Sequence, residues 1–213
     1  MKGLAPQTRN LFDSISNLNS IKEYTLVGGT ALALQLGTRE SEDLDFMSWR
    51  KSRDERREVN WPVIKKELES IGNIEHIEIY DLDHVEFIVN GVKISFYANP
   101  NYSPVLKEVI IKNNLKIADV TSIGAMKMEV MFRRSKFRDY YDIFSILEAG
   151  YDINIIIDLA LKYSGHKLKS KNLLALLTKS DRFTSDASFE NLNPIYNVTP
   201  KDIEERLKSA IKS

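Results

Sequence analysis

Leu11, Phe12, Ile15 and Leu18 recur at the spacing of an amphipathic helix over residues 7–18. A short apolar run then ends in Gly28-Gly29-Thr30 and gives way to an alanine- and leucine-rich segment, which predicts a strand, a tight turn and a helix start. A second strand is expected at Asp43-Leu44-Asp45-Phe46. Alternation there puts both aspartates on one face and Leu44 and Phe46 on the core face. Trp61, Ile64, Leu68 and Ile71 form another helical stripe. From Ile74 to Tyr97 the period falls to two: Ile77 and Ile79, then Val85, Phe87 and Val89, then Val92, Ile94 and Phe96 predict three strands. Asn90-Gly91 is a hairpin turn signal. Asp81-Leu82-Asp83 reads as turn chemistry, since no glycine turn precedes it. Pro100 and Pro104 are expected to end the sheet region, with one further short strand at Leu115–Ala118.

Helical patterning then takes over. Asp119 can cap a helix from Val120 to Arg133 on which Lys127, Met131 and Arg134 share a face, and a bend near Ser135 precedes a helix starting near Phe137. Further helices are expected at about 152–164 and 168–178. A last one follows Thr199 as cap, with Pro200 and Asp202 in its first turn and Glu204 and Glu205 close behind. Ser180–Val198 reads as an irregular loop. The pattern predicts an α+β fold with a small mixed β-sheet, packed helices and a helical C-terminal region. The expected division is 1–118 for the α/β core and 119–213 for a helical part completing a cleft.

Composition changes this picture little. The 213 residues are 43% hydrophobic and 28% charged, as in an ordinary globule. Lys+Arg and Asp+Glu number 30 each, so any polyanion must be met by local patches. Arg50, Lys51, Arg53, Arg56, Arg57, Lys65 and Lys66 make one such run, either a solvated face or a rim for triphosphate or RNA. Lys162, Lys167, Lys169, Lys171, Lys179 and Arg182 make another. The absence of cysteine excludes disulfides, Cys-ligated zinc and a thiol nucleophile, and fits a reducing cytoplasm. No signal-peptide core or membrane-length apolar run is visible, so the expected location is cytoplasmic with no membrane partner. His76, His84 and His166 lack ligand spacing.

The candidate chemistry lies between Leu26 and Phe46. Amides at a helix start carry partial positive charge and suit a phosphate, and Thr30 can cap that helix or offer its hydroxyl to an anion. Asp43 and Asp45 repel each other by about 3 kcal/mol at roughly 5 Å and an effective dielectric near 20, unless a cation joins them. Carboxylates beside a phosphate cradle suit Mg²⁺, so the combination is a candidate for metal-assisted nucleotidyl or phosphoryl transfer. Each half alone is an ordinary turn or strand end; together they are a constellation.

Gly29-Thr30, a twelve-residue gap and Asp43-x-Asp45 resemble the signature of the DNA polymerase β-like nucleotidyltransferase superfamily. Gly28-Gly29-Thr30-Ala-Leu, Arg39-x-Ser41-x-Asp43-Leu-Asp45-Phe46 and the later Lys127 with Arg138-Asp139-x-x-Asp142 are similar to the AbiEii/AbiGii toxin branch. The resemblance covers about residues 20–150. It implies a toxin of a bacterial toxin–antitoxin or phage-defence pair, moving a nucleotide from a nucleoside triphosphate (NTP) to an acceptor such as tRNA, with an antitoxin protein as partner. Under it, Asp43 and Asp45 hold metal, Lys127 neutralises the triphosphate, and Asp142 orients or deprotonates the acceptor. Gly28, Gly29, Thr30, Arg39, Ser41 and Arg138 bind the nucleotide. The superfamily's third acid is missing from Lys93-Ile-Ser95-Phe-Tyr97, where Lys93 can bind phosphate instead. Two alternatives stay open. One is a transferase acting on a small hydroxylated molecule such as an antibiotic. The other is a nucleotide-binding module without chemistry.

Overall fold

The computed structural model describes residues 2–55, 57–164 and 168–212; Arg56, His166 and Lys167, named above, lie outside the described residues. The chain opens with α1 (Pro6–Ile15), started by a proline in its first turn and burying Leu11, Phe12 and Ile15. Strand β1 (Thr25–Val27) runs straight into α2 (Gly28–Leu36), and β2 (Leu44–Trp49) follows a loop. Next come α3 (Trp61–Glu69), which buries Ile64 and Leu68, and the meander β3 (Ile74–Asp81), β4 (His84–Val89) and β5 (Val92–Asn99). Asn90 and Gly91 turn its second hairpin at φ 48° and 75°.

Strands β6 (Glu108–Lys112) and β7 (Leu115–Ala118) complete a seven-stranded sheet in the order β3-β4-β5-β2-β1-β7-β6. The sheet is mixed: β2 runs parallel to β5 and antiparallel to β1, while β1 runs parallel to β7. The sheet thus continues past the prolines expected to end it. Strand β6 is an edge strand with Ile110 and Ile111 exposed and a register irregularity before Lys112, so its sequence carries no alternation to betray it.

The remaining helices are α4 (Val120–Val130), α5 (Phe137–Glu148), α6 (Ile153–Tyr163), α7 (Ser170–Leu177) and α8 (Pro200–Lys212). Asp119 caps α4 by accepting the Ser122 amide at 3.0 Å. Thr199 and Asp202 exchange side-chain-to-amide bonds at the start of α8. Gly124 lets α4 lie close to α6, since a Cβ there would stand 2.9 Å from Ile156 Cγ2. One cluster of buried apolar side chains extends from Leu4 to Leu207, through both the sheet and the helical part.

The loop between α2 and β2 is braced from two directions. Ser41 exchanges backbone bonds with Gly3 and Ala5 at 3.0 Å each. On the other side Glu40 N–H meets Leu192 C=O at 2.6 Å, and the Thr38 carbonyl accepts both the Ile195 amide at 3.0 Å and the Tyr141 hydroxyl at 2.8 Å.

Candidate active site

Strand β1 ends at Val27, and Gly28 turns the chain into α2 at φ +70°, a conformation that favours glycine. A Cβ on Gly28 would lie 2.8 Å from Asp45 Oδ2, and one on Gly29 would lie 2.6 Å from Arg39 Nη2. The glycines therefore let the backbone approach an acid on one side and a guanidinium on the other. No side chain caps α2, which leaves its first amides available to an anion.

Asp45 stands opposite Val27 on one side and Ser95 on the other, on the cleft face of β2; Leu44 and Phe46 are buried behind it. Burial pushes the Asp45 carboxyl above the usual carboxylate range, and Asp43 pushes the same way against Lys93 and Lys127. Lys93 Nζ lies 3.7 Å from Asp43 and 3.9 Å from Glu86, occupying the position of a counter-cation. The place of a third acid on β5 is held by fully buried Ser95, whose hydroxyl donates to Glu86 one strand further out at 3.3 Å. Among the described residues no group of three or more His, Cys, Asp or Glu can hold a metal, so Asp43 and Asp45 act as a pair.

Beneath the glycine turn lies a buried charge network. Arg39 grips Asp142 with two bonds of 2.7 and 2.8 Å, and Lys127 Nζ reaches Asp142 at 2.6 Å and Asp139 at 3.2 Å. Arg134 faces Asp139 from the rim at 3.3 Å. Burial alone would raise the Asp142 carboxyl, but Arg39 and Lys127 outweigh it and hold it below its ordinary range. Arg138 is held by Asp186, with one bond of 2.9 Å, and by Ser188 at 2.9 Å.

These elements enclose a cleft of about 590 Å³. One end is polar, with Gly28, Gly29, Asp43, Lys93, Lys127 and Arg138 in its wall, and the other is lined by Met47, Tyr97, Asn99, Met126, Val130 and Tyr163. Arg133, Arg134, Lys136 and Arg138 form a cationic lip where α4 passes into α5.

Residues 9–211 match the family described as "Nucleotidyl transferase AbiEii toxin, Type IV TA system". The chain belongs to the AbiEii family. An uncharacterised protein of Aquifex aeolicus (strain VF5), aq_aa25, is 24% identical over 220 residues, spanning 100% of this chain and 98% of that one. A crystal structure from H. pylori, described as a candidate nucleotidyltransferase, superposes with a TM-score of 0.58 at 18% identity over 98% of this chain and 95% of the other. JHP933 from Helicobacter pylori gives 0.56 at 19% identity, over 98% and 92%. At these identities the structures show a shared fold.

In this AbiEii chain the sequence-expected residues separate into two groups. Gly28, Gly29, Arg39, Ser41, Asp43, Asp45, Lys93, Lys127 and Arg138 all line the cleft. Thr30 and Asp142 do not. Thr30 is buried within α2; its hydroxyl bonds the Asp43 carbonyl and lies 2.8 Å from the Ser41 hydroxyl, so it ties the loop to the helix and neither caps nor faces an anion. Asp142 is locked between two cations and out of the cleft wall, a placement that does not suit its expected part as an acceptor base. The basic run after Trp49 also falls elsewhere: Lys51 pairs with Glu23 at 3.2 Å and Arg57 with Glu55 at 3.0 Å, away from the acids. Sequence reasoning did not place Arg133, Lys136, Asp139, Asn99 and Tyr163 in the cleft wall. The Arg/Lys density after Val130 and the Arg138-Asp139-x-x-Asp142 motif were the signals for some of them.

Proposed function

We propose that the protein transfers a nucleoside monophosphate from a magnesium–NTP complex to a hydroxyl on RNA, tRNA being the working candidate. It would act as the cytoplasmic toxin of a toxin–antitoxin or phage-defence pair restrained by an antitoxin protein. One observation carries the reading: Asp45 on β2 and Asp43 just before that strand share a cleft with the uncapped amides of α2. Their donor set fits Mg²⁺, because two adjacent hard carboxylates, of which Asp43 raises the proton affinity of Asp45, favour a small hard cation, whose remaining positions water and phosphate would fill. Bound there, the ion would supply charge neutralisation at the transferring phosphate.

The chain's own groups do the rest. The α2 amides and Arg138 hold phosphate oxygens, and Lys127, fixed by Asp139 and Asp142, stabilises charge that moves onto the leaving pyrophosphate. As the acceptor oxygen bonds the α-phosphorus and the bond to pyrophosphate breaks, the acceptor's proton passes to the Asp45 carboxylate on the cleft face of β2. Cations outnumber acids in the cleft wall, which favours a polyanionic acceptor over the cationic one expected of an antibiotic transferase. No helix among the described residues is long and apolar enough to cross a membrane.

Incubation with the four α-labelled NTPs, Mg²⁺ and total RNA tests the proposal. Wild type is expected to label RNA and Asp43→Ala to lose at least about a hundredfold of that activity. Equal labelling by the variant, or none by wild type on any RNA, would overturn it.

A further inference from the structure

We propose that the apolar end of the cleft is a nucleobase subsite and that Asn99 reads a carbonyl oxygen on the base; this rests on the nucleotidyltransferase reading above. Along β2 the cleft wall passes from Asp43 and Asp45 to Met47 and then to the row of Asn99, about 13 Å beyond Asp45 at roughly 3.3 Å per residue. That is the order in which a nucleotide presents an α-phosphate, a sugar and a base. Lys93, Lys127 and Arg138 stand toward the acids at the first end, while Arg133 reaches the second paired with Glu129 at 3.0 Å. Met47, Met126 and Val130 give the second end surfaces that suit a flat, neutral heterocycle and offer nothing to a phosphate.

Two features make this end a prepared site. Tyr97 lines the cleft with one ring face covered by His84 at 4.1 Å, and His84 is backed in turn by Tyr80 at 4.4 Å. The three stacked rings fix Tyr97 before any ligand arrives. Burial, then Asp45 and Glu86, push the Tyr97 phenol upward, so it stays a neutral donor.

Asn99 is oriented as firmly. Its Oδ1 accepts the Asn101 amide at 2.9 Å, which leaves the NH₂ group pointing the other way. There it finds only distant partners, the Tyr163 hydroxyl at 3.4 Å and Met47 Sδ at 4.0 Å. A donor so weakly held is free to meet an acceptor on a base edge. Cytosine, uracil and guanine each carry a protruding carbonyl oxygen; adenine carries none. The subsite therefore favours CTP, UTP and GTP over ATP.

The test is equilibrium binding of the four NTPs and of inorganic tripolyphosphate, which has no base, to the full-length protein. Wild type is expected to bind ATP about fivefold more weakly than the best of the other three, in keeping with one hydrogen bond. Asn99→Asp, which replaces the donor with an acceptor, should remove that gap. Tyr97→Ala should weaken all four NTPs by at least about fivefold and leave tripolyphosphate unchanged, while Tyr97→Phe, which keeps the stack, should bind like wild type. If wild type binds NTPs but ATP is not disfavoured, or both non-conservative variants keep wild-type affinities, or they lose tripolyphosphate equally, the base subsite is wrong and the nucleotidyltransferase reading stands. If wild type binds no NTP, both fall.

Discussion

Asp142 ties two walls of the cleft together without lining it. Its carboxylate joins Arg39, packed under Gly29, to Lys127 on the opposite wall. Replacing one partner of a buried ion network leaves the others uncompensated, so Asp142→Asn is expected to destabilise the protein by about 3–5 kcal/mol in urea unfolding at neutral pH. Because the folded carboxyl lies below its unfolded value near 4, that stabilisation is complete above about pH 4 and disappears as pH falls through the lower folded value. The variant should therefore lack part of the acid limb of the wild-type stability profile. Asp45 has the opposite sign. Its folded carboxyl is raised, so its favourable contribution is fully present below the unfolded value and is lost as pH rises through the folded one; at neutral pH its charge opposes folding. Asp45→Asn should raise the metal-free melting temperature by a few degrees while abolishing transfer, a pairing checked by thermal melts beside the labelling assay. That Asp43, Asp45, the glycines and Lys127 share one cleft was legible in residue type and spacing. The burial of Asp142 and Thr30 was not, since local sequence cannot reveal which charges a fold places beneath its surface.

At the level of elements, helix and strand periodicities gave six of the seven strands and all eight helices. Strand β6 escaped because an edge strand need not alternate. For the basic run after Trp49 the sequence left a solvated face and a rim both open, since density of charge along a chain says nothing about which way the next loop turns; Lys51 and Arg57 pair with Glu23 and Glu55. Asn99 and Tyr163 went unnoticed because they sit on β5 and α6, far apart in sequence, and meet only once the sheet and α6 come together. That meeting depends on α4, which packs against α6 at Gly124 and carries Lys127 into the cleft. A larger side chain must push the two helices apart. Gly124→Val is expected to cost about 1–3 kcal/mol in chemical denaturation and to lower nucleotide affinity with it, whereas Gly124→Ala, gaining helix propensity, should lose less.

On the scale of the whole molecule, a formal net charge of zero hides a separation of charge. The lip of Arg133, Arg134, Lys136 and Arg138 borders one side of the cleft, while Glu75, Glu78, Asp81, Asp83 and Glu86 gather on the outer strands β3 and β4 and the turn between them. We propose that the 1–118 part, with the glycine turn, Asp43 and Asp45, and the 119–213 part, with Lys127 and Arg138, each bring half of the site, and that neither makes it alone. The braced loop carries this dependence into time. Arg39, Ser41 and Asp43 sit on a segment fastened by residues 3–5 on one side and by residues 192–195 on the other. Residues 3–5 are made before this loop and residues 192–195 long after it, so a growing chain fastens it on one side first. The bonds from Glu40 to Leu192 and from Ile195 to Thr38 close last, and Arg39, Ser41 and Asp43 take their final places only with them.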